Sequence, residues 1–262
     1  MRLGLGRTGR RVWVCAGLWL AAWLWAGWHP RGVEAEVARG DEGLLREAQR
    51  LQRDVWESGE RRSSVRPKAA QQLVALSRRC ETPEARAEIL FDASALNAAG
   101  GELRLALIQC LAASRLASSR RRSELELEGA HLERRLGLLD AAARSYLRLT
   151  AGGHLSGPDR DKAAHWCARI AEDQGRPRLA QDRWRALART AILPQRRLLA
   201  YERLALSLCR DGLFQEAGSV LQELQSALGP QTQAATQQGK QLRQSYDKCT
   251  RRIKRELSAH VN

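Results

Sequence analysis

Apolar positions along the middle of the chain fall at helical intervals and are cut into near-equal lengths by glycine. Gly101, Gly137, Gly175 and Gly212 stand 36, 38 and 37 residues apart. Five residues after each comes an alanine: Ala106, Ala142, Ala180 and Ala217. Four further on stand Cys110, Tyr146, Trp184 and Leu221, and three beyond those Ala113, Leu149, Leu187 and Leu224. Steps of four and three stay on one face of a helix. Each part has a physical reason. The glycine ends one helix and can take a positive φ, which turns the chain into the next. The alanine suits a close crossing, where a longer side chain would hold two helices apart. The residue one turn later fills the gap to the neighbouring hairpin. A repeat of this length predicts an array of stacked helical hairpins.

Punctuation elsewhere agrees with helices. Pro83 and Pro177 fall near predicted helix starts, where proline is tolerated. Ser123 followed by Glu126 predicts a capping box that opens a helix there. A first, less regular hairpin is expected over residues 42–80, with a long turn from Glu57 to Pro67 and only Ala70 and Val74 at repeat positions. Gly229-Pro230 closes the last unit. Beyond it, residues 231–262 are polar except for Leu242, Tyr246, Cys249, Ile253 and Leu257, the stripe of an amphipathic helix. Stacked repeats expose an apolar end that needs such a lid. The alternative is a helix that docks on another protein. No linker long enough to divide residues 36–230 into two domains is present.

With these positions in register, the chain resembles the tetratricopeptide repeat (TPR) superfamily. The unit from Tyr201 to Pro230 fits best. Tyr201 stands at the family's aromatic position, Leu204 and Ala205 at its Leu-Gly pair, and Leu208 at its next large position. Ala217, Leu221 and Leu224 follow at the family's spacing, and Pro230 is one residue late. The unit with Ala168, Ala180, Trp184, Leu187 and Pro194 fits second best. The units ending near residues 117 and 153 depart further, and Glu133 occupies a position that the family keeps apolar.

The resemblance covers residues 36–230. It implies an all-α fold: an α-solenoid of about five antiparallel helical hairpins, wound as a right-handed superhelix, with a C-terminal capping helix. It also implies that the first helix of each hairpin lines a concave groove. Carried over residue by residue, the groove positions are Phe91, Leu127, His131, Arg134, Arg135, Lys162, His165, Arg169, Leu206 and Arg210. Basic residues gather in the middle with apolar ones at each side. Such a groove would suit an extended or helical peptide bearing carboxylates, which arginine holds by paired hydrogen bonds.

Composition supports helices. From residue 36 onward there are only five Ile, six Val and six Thr, while Ala, Leu, Arg, Gln and Glu dominate. The formal net charge is +15, and +11 without residues 1–35. Arginine outnumbers lysine 39 to 5 and is spread over almost every predicted helix. That spread fits a compositional bias better than a phosphate groove, so nucleic acid is not the expected partner. An acidic protein or an anionic membrane surface is favoured.

Residues 1–35 are different material. Arg2, Arg7, Arg10 and Arg11 make a positive start, and Val12 to Trp28 runs 17 residues without a charge. Val33-Glu34-Ala35 suits a signal peptidase, with cleavage before Glu36. The competing reading is an uncleaved inner-membrane anchor: five Trp (13, 19, 23, 25 and 28) suit an interfacial anchor, although 17 helical residues span about 25 Å, short for a hydrocarbon core of about 30 Å. Either reading sends the body across the inner membrane, to the periplasm or the exterior.

Candidate chemistry is sparse. None of Cys80, Cys110, Cys167, Cys209 and Cys249 forms a C-x-x-C pair, and no histidine lies at metal-ligand spacing from one. Buried thiols are expected, with Cys167 and Cys209 the first pair to test for a disulfide. His131, His154 and His165 have no nucleophile or carboxylate at a catalytic spacing, and no phosphate loop or hydrolase motif occurs. No cofactor or metal is expected. Three functional readings follow. The first is a non-catalytic scaffold of a bacterial envelope that binds a protein or peptide. The second is a membrane-anchored basic scaffold touching anionic lipid or glycan. The third is an enzyme with an unrecognised helical active site.

Overall fold

A computed structural model of the chain describes residues 39–57, 65–152, 154–233 and 237–259. The helices come in pairs. The first pair is α1 (Arg39–Glu57) and α2 (Val65–Ser77), and the second is α3 (Pro83–Ala99) and α4 (Leu103–Leu116). Then come α5 (Ser119–Arg135) with α6 (Leu139–Ala151), and α7 (Gly157–Asp173) with α8 (Pro177–Thr190). The last pair is α9 (Pro194–Arg210) with α10 (Phe214–Leu228). A 3-10 turn, Pro230–Gln233, leads into α11 (Gln237–Ala259). No strand occurs among the described residues. Each helix from α2 to α10 packs on the next in the chain, and α11 lies on α9 and, less extensively, on α10. This is an all-α solenoid. No helix among the described residues is long and apolar enough to cross a membrane. The segment Val12 to Trp28 and the cleavage position before Glu36 lie outside the described residues.

The turn chemistry is the same in four hairpins. Gly101, Gly137, Gly175 and Gly212 have φ of 90°, 77°, 66° and 75°. After α5, the Leu138 N–H donates to Glu133 O at 2.9 Å and the Gly137 N–H to Arg134 O at 3.1 Å. The same crossed pair closes α3, α7 and α9, so the orphan carbonyls of each first helix are satisfied by its own turn. The alanine five residues on is fully buried in every unit, and so are Cys110, Tyr146 and Trp184 one turn later. A longer side chain at such an alanine would overpack the crossing, typically at about 1–3 kcal/mol.

Helix starts agree with the sequence at the prolines: Pro83 and Pro177 open α3 and α8. The expected capping box is not there. α5 begins at Ser119, so Ser123 lies inside it, buried, with its hydroxyl donating back to Ser119 O at 3.2 Å. A serine inside a helix can bond the carbonyl one turn behind as readily as it caps, which is why the motif misplaced the start.

Two buried aspartates join successive first helices. Near the start of α1, Asp41 accepts from Glu81 N at 2.9 Å, Thr82 N at 2.8 Å and the Thr82 hydroxyl at 2.6 Å, just before α3. Burial would raise its pKa, but these hydrogen bonds hold it below the ordinary carboxylate value. Near the start of α7, Asp161 accepts from Ile192 N at 2.8 Å and Leu193 N at 3.0 Å, just before α9. Each carboxylate thus satisfies main-chain donors at the entry of the next first helix.

Cys80, Cys110, Cys167, Cys209 and Cys249 are all free. The Cys167–Cys209 disulfide does not form. Cys167 packs with Leu127, Tyr146 and Ile170, whereas Cys209 belongs to the cluster around Trp184, Leu208 and Ile253.

Candidate partner-binding face

The first helices α5, α7 and α9 carry most of the positions singled out in the sequence. On α5, His131, Arg134 and Arg135 follow Leu127 at helical spacing, and on α7, Lys162, His165 and Arg169 do the same. Beneath them the large residues of the second helices, Tyr146 on α6 and Trp184 on α8, are fully buried. They are held there by the alanine crossings one turn before them.

These elements create one run of ring contacts across two hairpins. The Tyr146 hydroxyl and His131 Nδ1 form a short hydrogen bond, with ring centroids 5.4 Å apart. His131 meets Trp166 of α7 edge-on at 6.2 Å, and Trp166 meets His165 at 5.2 Å. His165 in turn meets Trp184 at 5.3 Å. The Arg134 guanidinium lies over the Trp166 ring, 3.8 Å from its centroid, a cation–π stack bridging α5 and α7. Trp184 Nε1 donates to Glu172 at 2.9 Å, and the other oxygen of Glu172 accepts from Arg169 at 2.8 Å.

The electrostatics favour neutral rings and a permanent positive charge. Burial, helped by Arg134 and Lys162, holds His131 down to about 4. Burial, helped by Arg196, Arg203 and Arg169, does the same to His165. Burial raises the Tyr146 hydroxyl against the pull of Arg134, and raises Glu128 against Lys162. At neutral pH the rings are therefore uncharged, and the cations are Arg134, Lys162 and Arg169. Three buried polar atoms in these two helices lack a partner: Glu133 Oε2, Arg134 Nε and His165 Nδ1. Such orphans carry a desolvation cost of about 1–3 kcal/mol each unless something else meets them.

Of the ten sequence-chosen residues, the structure gathers His131, Arg134, Lys162 and His165, with Arg169 joined through Glu172. The other five lie apart. Phe91 is half-buried, packed on the Ala87–Leu90–Ala113 cluster with the Arg121 guanidinium 5.2 Å above its ring. Leu127 is core, packed with Ala142 and Tyr146, and offers no surface. Its offset from His131 on the helical circle is enough to turn it inward. Arg135 reaches back to cap α3, donating to Ala98 O at 3.1 Å. Leu206 is half-buried on α9, and exposed Arg210 bonds the Leu206 carbonyl at 3.3 Å. Lys162 pairs with Asp159 at 2.8 Å.

Sequence reasoning missed Trp166, the centre of the cluster. The available signal was its place one turn after Lys162 and one turn before Arg169. Among the described residues, no group of His, Cys, Asp or Glu could hold a metal ion. Burial pushes the Cys110 thiol to about 12 and Cys167 to about 11, so neither is a thiolate at neutral pH. The arrangement is equipped to stack and to hydrogen-bond.

The architecture is that of a TPR-like repeat solenoid. Among solved structures, the chain is similar to a Podosopora anserina protein described as a kinesin light chain with nearly identical TPR-like repeats. The identity is 16% and the TM-score 0.50, over 74% of this chain and 97% of that one. A point variant of that protein aligns at 15% identity and a TM-score of 0.50, over 74% of this chain and 96% of the other. At such identity the likeness establishes the fold. No protein-family model and no curated protein matches this sequence.

Proposed function

We propose that this chain is a non-catalytic scaffold that binds a protein or peptide partner along its first helices, centred on the α5–α7 cluster. One observation carries the reading: Arg134 of α5 stacks on Trp166 of α7 in the middle of a run of ring contacts from Tyr146 to Trp184. A partner carboxylate could pair with the Arg134 guanidinium, and an extended segment could lie along the first helices. The net positive charge favours a partner with acidic groups. The amino-terminal sequence supports export, with the scaffold working in a bacterial envelope.

Cross-linking in the native cell, followed by identification of the captured protein, tests the reading. Capture should fall at least tenfold in Arg134→Glu plus Arg169→Glu, since each lost charged contact is worth about 1.5–3 kcal/mol. Undiminished capture by a variant of unchanged helicity would remove this face from consideration. Sequencing the amino terminus of the mature protein tests export: a chain beginning at Glu36 supports it, and one beginning at Met1 favours anchoring.

A further inference from the structure

We propose that the outward face of α11 is an electrostatic docking surface for an anionic lipid bilayer. α11 turns Leu242, Cys249 and Ile253 inward onto α9 and α10, with Tyr246 and Leu257 beside them. Lys240, Arg243, Lys248, Arg251, Lys254 and Arg255 are exposed on the other side. At 3.6 residues per turn these six span about two-fifths of the helix circumference. Asp247 is the sole acid among them.

Elsewhere in the solenoid several arginines meet carboxylates of neighbouring helices, while Arg104, Arg144 and Arg178 stand exposed with no ion pair among the described residues. Arg148 meets Glu126, Arg185 meets Glu216 and Arg189 meets Glu223. On α11, among the described residues, only Arg252 forms an ion pair, with Glu202 of α9 at 3.1 Å. Arg251 Nε donates to the main-chain oxygen of Asp247 at 3.1 Å, which leaves its charge unneutralised. The helix also repels itself. Lys248 has Arg251 and Arg252 one turn ahead, and Arg251 has Lys254 and Arg255, and each like-charge neighbour opposes helix formation.

A lid needs an apolar inner face and a polar outer one. Glutamine, present at 237, 238, 241 and 244, would supply the second without repulsion. Positive charge kept against the helix's own stability is explained by a counter-charge outside the molecule. The shape of the face selects the partner. The apolar stripe is already used, so the contact is with headgroups and not by insertion between acyl chains. A plane of charge can meet a face this broad, and among its described residues α11 exposes no aromatic side chain for a nucleic-acid base to stack on. At the other end of the sequence, the uncharged, Trp-rich run from Val12 to Trp28 reads as an export signal or an anchor, and either brings the chain to a membrane.

The test is flotation of the whole chain with vesicles of phosphatidylcholine, alone or mixed with phosphatidylglycerol, at low and high salt. The expected result is an excess on the anionic vesicles that high salt removes. Each cation near such a surface is worth about 1 kcal/mol, or about fivefold, so Lys248→Gln plus Arg251→Gln plus Arg255→Gln should cut the excess roughly hundredfold. Lys248→Gln alone should cut it about fivefold, and glutamine keeps helix propensity. Arg104→Gln plus Arg144→Gln plus Arg178→Gln makes the same charge change at exposed sites on α4, α6 and α8, and should leave the excess in place. An unchanged excess in both α11 variants overturns the proposal. So does an equal loss in the control, or displacement from the vesicles by duplex DNA at matched charge.

Discussion

Changing Gly175 to alanine and Gly218 to alanine should move stability in opposite directions. A Cβ at either position meets nothing within 4 Å, so packing drops out and the backbone decides. Gly175 holds φ +66° at the α7–α8 turn. An L side chain there costs about 1–2 kcal/mol, and a stiffer unfolded chain returns about 0.4–1 kcal/mol. The net expectation is a loss of about 1 kcal/mol. Gly218 lies within α10 without a positive φ, and alanine there should add about 0.5–1 kcal/mol. Gly175→Asn should recover part of the first loss, because asparagine tolerates the left-handed region. Urea unfolding followed by far-UV circular dichroism reads all three. Midpoints are comparable only at equal slope, since a repeat array can lose cooperativity. A Gly175→Ala protein as stable as the parent, or shifts of the same sign at both sites, would refute the turn geometry.

Three other outcomes are expected. Asp161→Ala should cost about 1–3 kcal/mol by taking the acceptor from two part-buried N–H groups, whereas Asp161→Asn should cost less than half of that, because both donors share the single oxygen Oδ2; thermal melts compare them. Folded His131 and His165 titrate near 4 against an ordinary 6.5, so the unfolded chain binds more protons between those values. Stability should be full above about 6.5 and fall as pH drops toward 4, and His131→Gln plus His165→Gln should flatten that part of a melting profile. Asp92 is raised to about 7 by burial and by Glu88, with the Gln52 amide as its hydrogen-bond donor at 3.2 Å. The stability it contributes is complete below its ordinary 3.8 and lost as pH rises through 7, so Asp92→Asn should melt higher than the parent above pH 7 and not below pH 4.

The repeat was legible because its positions answer to local physics. A left-handed turn needs glycine and a close crossing needs alanine, and both requirements recur at fixed spacing wherever the chain turns back. The candidate face was only half legible. Helical spacing placed His131, Arg134 and His165 together but carried Leu127 along, because an offset of a fraction of a turn separates core from surface. Arg135 could not be assigned, since its partner is a carbonyl 37 residues earlier. Trp166 was hidden for a related reason: only the coordinates show that one ring links α5 to α7. Asp41 and Asp161 read as ordinary surface acids until the distant main-chain donors they accept from are seen.

Those two aspartates are not repeated at every joint. The fifth residue of α7 is Asp161, but the fifth of α3 is Ala87 and the fifth of α5 is Ser123, whose hydroxyl is spent within its own helix. The aspartate staples therefore fasten α1 to α3 and α7 to α9, Arg121 pairs with Glu88 at 2.7 Å across α3 and α5, and the α5–α7 seam carries ring faces, a stacked guanidinium and the attraction between Glu128 and Lys162. At that seam a partner seated on Trp166 would touch the contact that joins the two hairpins, so its arrival would bear on their packing directly.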